Sequence, residues 1–250
     1  MTRFGRVVLL ASAIAANLLA AEPPRTLRVL FIGNSLTYVN DVPALVAAMA
    51  ESAGEPAPVC RSVVAGGFSL EDHWDRGEAL RAIERESWDF VVLQQGPSAS
   101  EEGRTLLLRY ARRFAPAIRR AGAKPALYMV WPSTSRHQDF SGVSDSYRIA
   151  AADVGGLLLP AGDAWRIVER TRPKLALYSS DGLHPTAAGS YLAAAVIYAR
   201  LYGRSPLGLP ARLAPRPGVP VDLPADDARA LQEAAGEAAA AGGAKANVRR

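Results

Sequence analysis

The chain has 250 residues, 49% of them hydrophobic, and a mean hydropathy of +0.03, values of an ordinary globular protein with room for one substantial core; disorder as the main state is excluded. Its formal charge of +5 comes from 29 Lys and Arg scattered among 24 Asp and Glu, a pattern that speaks for solubility and against a nucleic-acid partner. The single cysteine, Cys60, rules out an internal disulfide, and the three histidines, His73, His137 and His184, stand too far apart for a zinc-finger spacing.

At the N-terminus Arg3 and Arg6 precede an apolar run over 7–16, and residues 1–21 read as a secretory signal ahead of Glu22 and two prolines. The run is interrupted by Asn17 and is short for a bilayer span of about 20 residues, so no stable membrane insertion is expected once the signal is cleaved. The protein is expected to be exported, to the periplasm or the extracellular space, where a lone thiol survives best when buried.

Beyond Pro24 short apolar runs alternate with helical stretches. Strands are predicted over 27–32, 59–65, 88–93, 126–131 and 157–160, and helices over 42–52, 75–86, 103–121, 144–154 and 185–202. A long polar loop over 133–144 is expected to cap the crevice above the sheet. A proline-rich strap over 205–224 and an alanine-rich helix over 226–240 complete a single domain of residues 25–240, and 241–250 read as a frayed tail. Nearly all-apolar strands alternating with helices indicate an α/β fold, a three-layer α/β/α sandwich on a central, mostly parallel five-stranded sheet.

Ligands of such sheets bind beyond the carboxyl ends of the strands. Four segments there are unusual: Gly33-Asn34-Ser35-Leu36-Thr37, Ala65-Gly66-Gly67-Phe68-Ser69, Gln94-Gln95-Gly96-Pro97-Ser98, and Ser180-Asp181-Gly182-Leu183-His184-Pro185-Thr186. Asp181 stands three residues before His184, on a turn loosened by Gly182. It can fold back to accept the imidazole Nδ1–H, fixing the tautomer and leaving Nε2 as a base. Pro185 suits the first turn of the helix that follows, which puts His184 at its entry. Such a pair needs a hydroxyl, and Ser35, at the end of the first strand, is the best-placed serine.

The run Phe31-Ile32-Gly33-Asn34-Ser35-Leu36-Thr37 resembles the first block of the SGNH (GDSL-like) hydrolases, in a Gly-Asn-Ser variant, and Ser180-Asp181-Gly182-Leu183-His184-Pro185 resembles the last block of that family. The resemblance spans about residues 27–203 and implies a flavodoxin-like sheet. It assigns Ser35 as nucleophile, His184 as general base and Asp181 as its orienter. It also implies an oxyanion hole built from the Ser35 and Gly66 N–H groups, with Gly67 as the alternative glycine. Where the family carries an asparagine after the third strand, this chain has glutamines. Gln95 is the favoured amide donor, with Gln94 and Ser98 as alternatives. Asn34, His73 and Trp131 are candidates to line the substrate site.

The function these residues point to is an exported serine esterase acting on O-acyl, including O-acetyl, groups of carbohydrates or other small molecules through an acyl-enzyme, with no cofactor and no metal. Two rivals use the same fold: a carbohydrate-binding protein without catalysis, and an acyltransferase with the same triad. No Gly-x-Ser-x-Gly elbow, Walker loop, dinucleotide glycine fingerprint or His-Glu-x-x-His occurs.

Overall fold

Each of the five apolar runs becomes a strand in the computed structural model, which describes residues 25–215 and 218–243; the signal segment over 1–21 lies outside the described residues. The strands are β1 (Arg28–Gly33), β2 (Val59–Val64), β3 (Phe90–Leu93), β4 (Lys124–Met129) and β5 (Leu157–Pro160). They form one sheet in the order β2-β1-β3-β4-β5, and every pairing is parallel, with Val29 opposite Phe90 and Val92 opposite Ala126.

Why the runs read as continuously apolar is visible in the core. Alternate side chains of a strand point to opposite faces, and here both faces are covered. Val29 and Phe31 join one hydrophobic cluster, whereas Leu30 and Ile32 join the other. The first cluster is closed by α2 (Val42–Ser52), α7 (Ala161–Thr171), α8 (Ala187–Tyr202) and α9 (Ala225–Gly243). The second is closed by α3 (Leu70–Arg76), α4 (Glu78–Arg85), α5 (Glu101–Arg120) and α6 (Phe140–Asp153). Complete burial of a Leu, Ile or Phe side chain is worth about 1.5–3 kcal/mol. An exposed ion pair such as Arg212–Asp222 is worth about 0–1 kcal/mol, so the layered core, not the surface charge, holds the fold.

Several expectations need correction. The helix predicted over 75–86 is two helices, α3 and α4, separated by Gly77. The long loop over 133–144 is a 3₁₀ turn, Thr134–Asp139, running into the first turn of α6. Helix α7 was hidden by Pro160 and Gly162, yet its Ala161, Ala164, Trp165 and Val168 lie on one buried stripe. Pro185 is not the first residue of α8; it pairs with Tyr178 in a β-bridge, and Thr186 caps the helix. The strap carries a two-stranded ribbon, β6 (Arg212–Leu213) and β7 (Val221–Asp222). Helix α9 continues through 241–243, which are therefore not frayed, and 244–250 lie outside the described residues.

The strand order reverses between β1 and β3, because β2 flanks one side of β1 and the chain then returns to the other. That switch point opens a crevice at the carboxyl ends of β1 and β3. Gly33-Asn34-Ser35 and Gln94-Gln95-Gly96 emerge there, side by side.

Candidate active site

Ser35 is the first residue of a one-turn helix, α1 (Ser35–Tyr38), that starts directly from β1. Asn34 caps it: its Oδ1 accepts from the Leu36 N–H at 3.1 Å. Glycine is required just before, at position 33, because a Cβ there would sit 2.4 Å from Gln94 Oε1 and 2.6 Å from Thr37 Oγ1. The Ser35 hydroxyl and backbone N–H take no hydrogen-bond partner among the described residues.

The second glycine block forms a tight turn in which the Phe68 N–H donates to Ala65 O at 3.3 Å. It is tied to the serine loop through Asn34 Nδ2, which donates to Phe68 O at 3.0 Å, and through the Ala65 N–H, which donates to Gly33 O at 3.2 Å. The Gly66 N–H has no acceptor among the described residues.

The late block is held on several sides. The Thr134 N–H donates to Gly182 O at 2.8 Å, Trp131 Nε1 donates to Leu183 O at 3.0 Å, and the Ser179 N–H donates to His184 O at 2.8 Å. Gly182, at φ +69, has no room for a Cβ, which would meet Thr134 Oγ1 at 2.3 Å. Within this frame Asp181 divides its two oxygens. Oδ1 accepts the Leu183 and His184 N–H groups, both at 2.9 Å, while Oδ2 takes His184 Nδ1–H at 2.6 Å. The imidazole hydrogen bond, then the two backbone donors, lower the Asp181 carboxyl from its usual range to about 2. The pair is half in water, with side-chain exposures of 33% for His184 and 50% for Asp181, so Asp181 acts on the ring more by orienting it than by Coulomb attraction. His184 Nε2 has no partner among the described residues, Ser35 included. Catalytic hydrogen bonds often tighten only around substrate.

Early and late blocks share one rim of the sheet. Asn40, five residues past Ser35, donates through Nδ2 to Pro185 O at 3.2 Å and to Ser190 Oγ at 3.0 Å. Asn40 and the next residue, Asp41, both adopt left-handed backbone, at φ 57 and 52, conformations that Asn and Asp tolerate better than other side chains. Sequence reading missed Asn40; its only signal was an Asn-Asp pair ahead of a proline, which reads as a turn and helix cap.

The expected amide donors are placed otherwise. Gln94 is fully buried: its Oε1 accepts from the Asn34 N–H at 2.7 Å and Thr37 Oγ1 at 2.8 Å, and its Nε2 donates to Asn34 Oδ1 and Gln95 O. Gln95 Nε2 donates to Ser98 Oγ at 3.0 Å and Gly103 O at 3.1 Å, and its Oε1 accepts the Leu70 N–H. Ser98, buried in left-handed backbone, donates to Gly96 O at 2.8 Å. The donor hydrogens of all three are committed to holding loops, which corrects the expectation that Gln95, Gln94 or Ser98 binds an oxyanion.

The three candidates for substrate contact are also structural. His73 is buried beneath the serine loop and donates through Nε2 to Gly33 O at 2.8 Å; burial holds its pKa below the usual range. Trp131 is buried and stacked on Trp165, ring centroids 3.5 Å apart, so it props the late block from below and does not line a pocket. Asn34 spends its amide on Phe68 O and its carbonyl on the α1 cap. Among the described residues no three His, Cys, Asp or Glu side chains converge as a metal site would need.

No protein-family model matches the chain, and no curated protein sequence matches it. Solved structures do. A protein of Slackia heliotrinireducens assigned to the SGNH hydrolases is 32% identical, with 71% of this chain and 100% of that chain covered and a TM-score of 0.59. A DUF4886 family protein from Bacteroides uniformis is 20% identical over 86% of this chain and 95% of its own, with a TM-score of 0.67. A variant of an acetyl xylan esterase from Geobacillus stearothermophilus is 15% identical over 71% of this chain and 93% of its own, with a TM-score of 0.50.

Proposed function

The chain belongs to the SGNH hydrolase family, and on that premise we propose that it is an exported serine esterase that removes O-acyl groups, O-acetyl among them, from carbohydrates or other small molecules. The observation that carries the reading is the Asp181–His184 pair, 2.6 Å apart, on the same rim as a serine whose hydroxyl and N–H are both uncommitted.

In the proposed reaction His184 Nε2 takes the proton of the Ser35 hydroxyl as Oγ forms a bond to the ester carbonyl carbon. The carbonyl π pair moves onto oxygen, where the Ser35 and Gly66 N–H groups meet it. As that pair returns, the bond to the alcohol breaks and the leaving oxygen receives the proton from His184. Water repeats the sequence on the acyl-serine, releasing the acid and restoring Ser35. Asp181 keeps its charge throughout and holds the ring in the tautomer that leaves Nε2 free.

Hydrolysis of a short-chain nitrophenyl ester tests this. Ser35→Ala is expected to lower kcat/KM by at least about 10³-fold, given what removal of a serine nucleophile costs elsewhere, and to abolish covalent labelling by a fluorophosphonate. Unchanged turnover in that variant refutes the proposal. That the Gln94 and Gln95 amides are both committed within the described residues favours one rival, a carbohydrate binder without catalysis. Glycan binding with no turnover in the wild-type chain is the outcome that selects it. Acyl transfer to a sugar hydroxyl in place of water is read out by product analysis. Export, supported by Arg3, Arg6 and the apolar run after them, is tested by fractionating cells that express the full chain.

A further inference from the structure

The site as built has two backbone donors for an oxyanion and no side-chain amide, since Gln94, Gln95 and Ser98 all turn their hydrogens inward. Another polar side chain beside the serine loop is free among the described residues. Tyr38 ends α1, three residues after Ser35, and residues so spaced share a helix face. Its phenol oxygen lies 3.1 Å from where a Cβ on Gly66 would stand, so the hydroxyl of Tyr38 and the backbone of Gly66 are immediate neighbours. That hydroxyl has no hydrogen-bond partner among the described residues, and the side chain is 45% exposed, open to an incoming ligand.

Glycine at 66 fits the same picture. The residue has no left-handed backbone to explain it, unlike Gly67 beside it at φ +73. A Cβ there would stand 3.1 Å from the phenol oxygen, which would have to give by a few tenths of an ångström. The Ser35 N–H, the Gly66 N–H and the Tyr38 hydroxyl, carried by α1 and by the turn beside it, have no acceptor among the described residues.

We propose that Tyr38 is a catalytic residue, its phenol O–H serving as the third oxyanion donor in the place where the family uses an asparagine amide. The inference rests on Ser35 being the nucleophile. A phenol O–H suits that role, being a stronger hydrogen-bond donor than a carboxamide, and a tyrosine fills an oxyanion site on an unrelated fold. Because the bond strengthens as negative charge develops on the carbonyl oxygen, it contributes more to the transition state than to the bound ester.

The test compares Tyr38→Phe with Tyr38→Ala on a nitrophenyl acetate, alongside inhibition by a boronic acid that mimics the tetrahedral adduct. Tyr38→Phe keeps the ring and is expected to lower kcat by about 10²-fold, the lower end of the cost of losing one oxyanion donor, with KM within about twofold. Boronate affinity is expected to fall along with kcat, and the urea unfolding midpoint to stay that of the wild type. If Tyr38→Phe retains wild-type kcat, the phenol is not a donor; if in addition only Tyr38→Ala raises KM, the ring is merely a wall of the site. Either result overturns the inference. Ser35→Ala, measured in parallel, separates the two levels. An inactive Ser35→Ala beside a fully active Tyr38→Phe removes Tyr38 alone, whereas an active Ser35→Ala removes the esterase reading beneath it.

Discussion

Replacing Asn40 by alanine severs a side chain that ties the turn after α1 to the entry of α8. The structure sets the magnitude. Two neutral hydrogen bonds are lost, to Pro185 O and Ser190 Oγ, at about 1 kcal/mol each. Pro185 O keeps a second donor in Ser179 Oγ, and the buried Ser190 hydroxyl loses its donor but still donates to Val39 O at 3.5 Å, so neither group is left with no partner. Holding alanine at φ 57, where asparagine is tolerated, adds about 1 kcal/mol. Asn40→Ala is therefore expected to destabilise the protein by about 3 kcal/mol, and Asn40→Gly, which relieves the backbone term, by about 2 kcal/mol. Equilibrium unfolding in urea measures both, with an unchanged m-value as the check that the folded state is comparable. Activity should fall further than stability implies. A shift of about 1 Å between reacting groups costs about 10²-fold, so kcat/KM of Asn40→Gly on a nitrophenyl ester is expected to drop by about 10²-fold under conditions where the variant is fully folded. Wild-type kcat/KM in Asn40→Gly, or a loss of stability below about 0.5 kcal/mol in Asn40→Ala, would refute the role of Asn40 as a strut.

Other expectations follow from Asp181, Cys60 and Gln94. Because the Asp181 carboxyl titrates lower in the folded chain than in the unfolded one, where about 3.9 is ordinary, the unfolded chain binds more protons between those values. The stability Asp181 contributes is complete above about pH 4 and is lost as pH falls towards about 2. Urea midpoints of wild type and Asp181→Asn should differ at pH 6 and converge near pH 2; a difference independent of pH would contradict this. Burial, with the Asp41 carboxylate second, pushes the Cys60 thiol up to about 12. At pH 8 its thiolate fraction is then about 10³-fold below that of an ordinary cysteine, and a disulfide reagent should label it slowly until urea unfolds the chain. Gln94→Leu strands the Asn34 N–H and the Thr37 hydroxyl and is expected to cost about 3 kcal/mol. If it left stability within about 0.5 kcal/mol of wild type while abolishing turnover, Gln94 would belong to the chemistry after all.

The sheet was legible because strands covered on both faces must be apolar at every position; β1 and β5 were located to within a residue or two on that ground alone. The Asp181–His184 pair was legible too, since three residues and a glycine allow few other geometries. Spacing does not say where a polar group spends its hydrogens. Gln95, Ser98, His73 and Trp131 all stand beside the crevice in sequence terms, and each turns out to brace a loop, because a buried donor near a rim finds a backbone carbonyl before it finds a ligand. Asn40 and Tyr38 went unnoticed for the complementary reason. Neither carries a motif, and what marks them is contact with segments far away or close only in space: Pro185 and Ser190 for one, Gly66 for the other.

The order of the pieces along the chain sets when the proposed chemistry can begin. All five strands of the main sheet have been laid down by Pro160, but Asp181 and His184 come later, on a loop that Trp131 holds from beneath and that leads into α8, which Asn40 ties to the serine side through Ser190. A nascent chain emerging from the ribosome thus presents its serine more than a hundred residues before any base can reach it. On the proposed mechanism turnover waits for the late loop, which makes it a sensitive gauge of whether the last layers have docked.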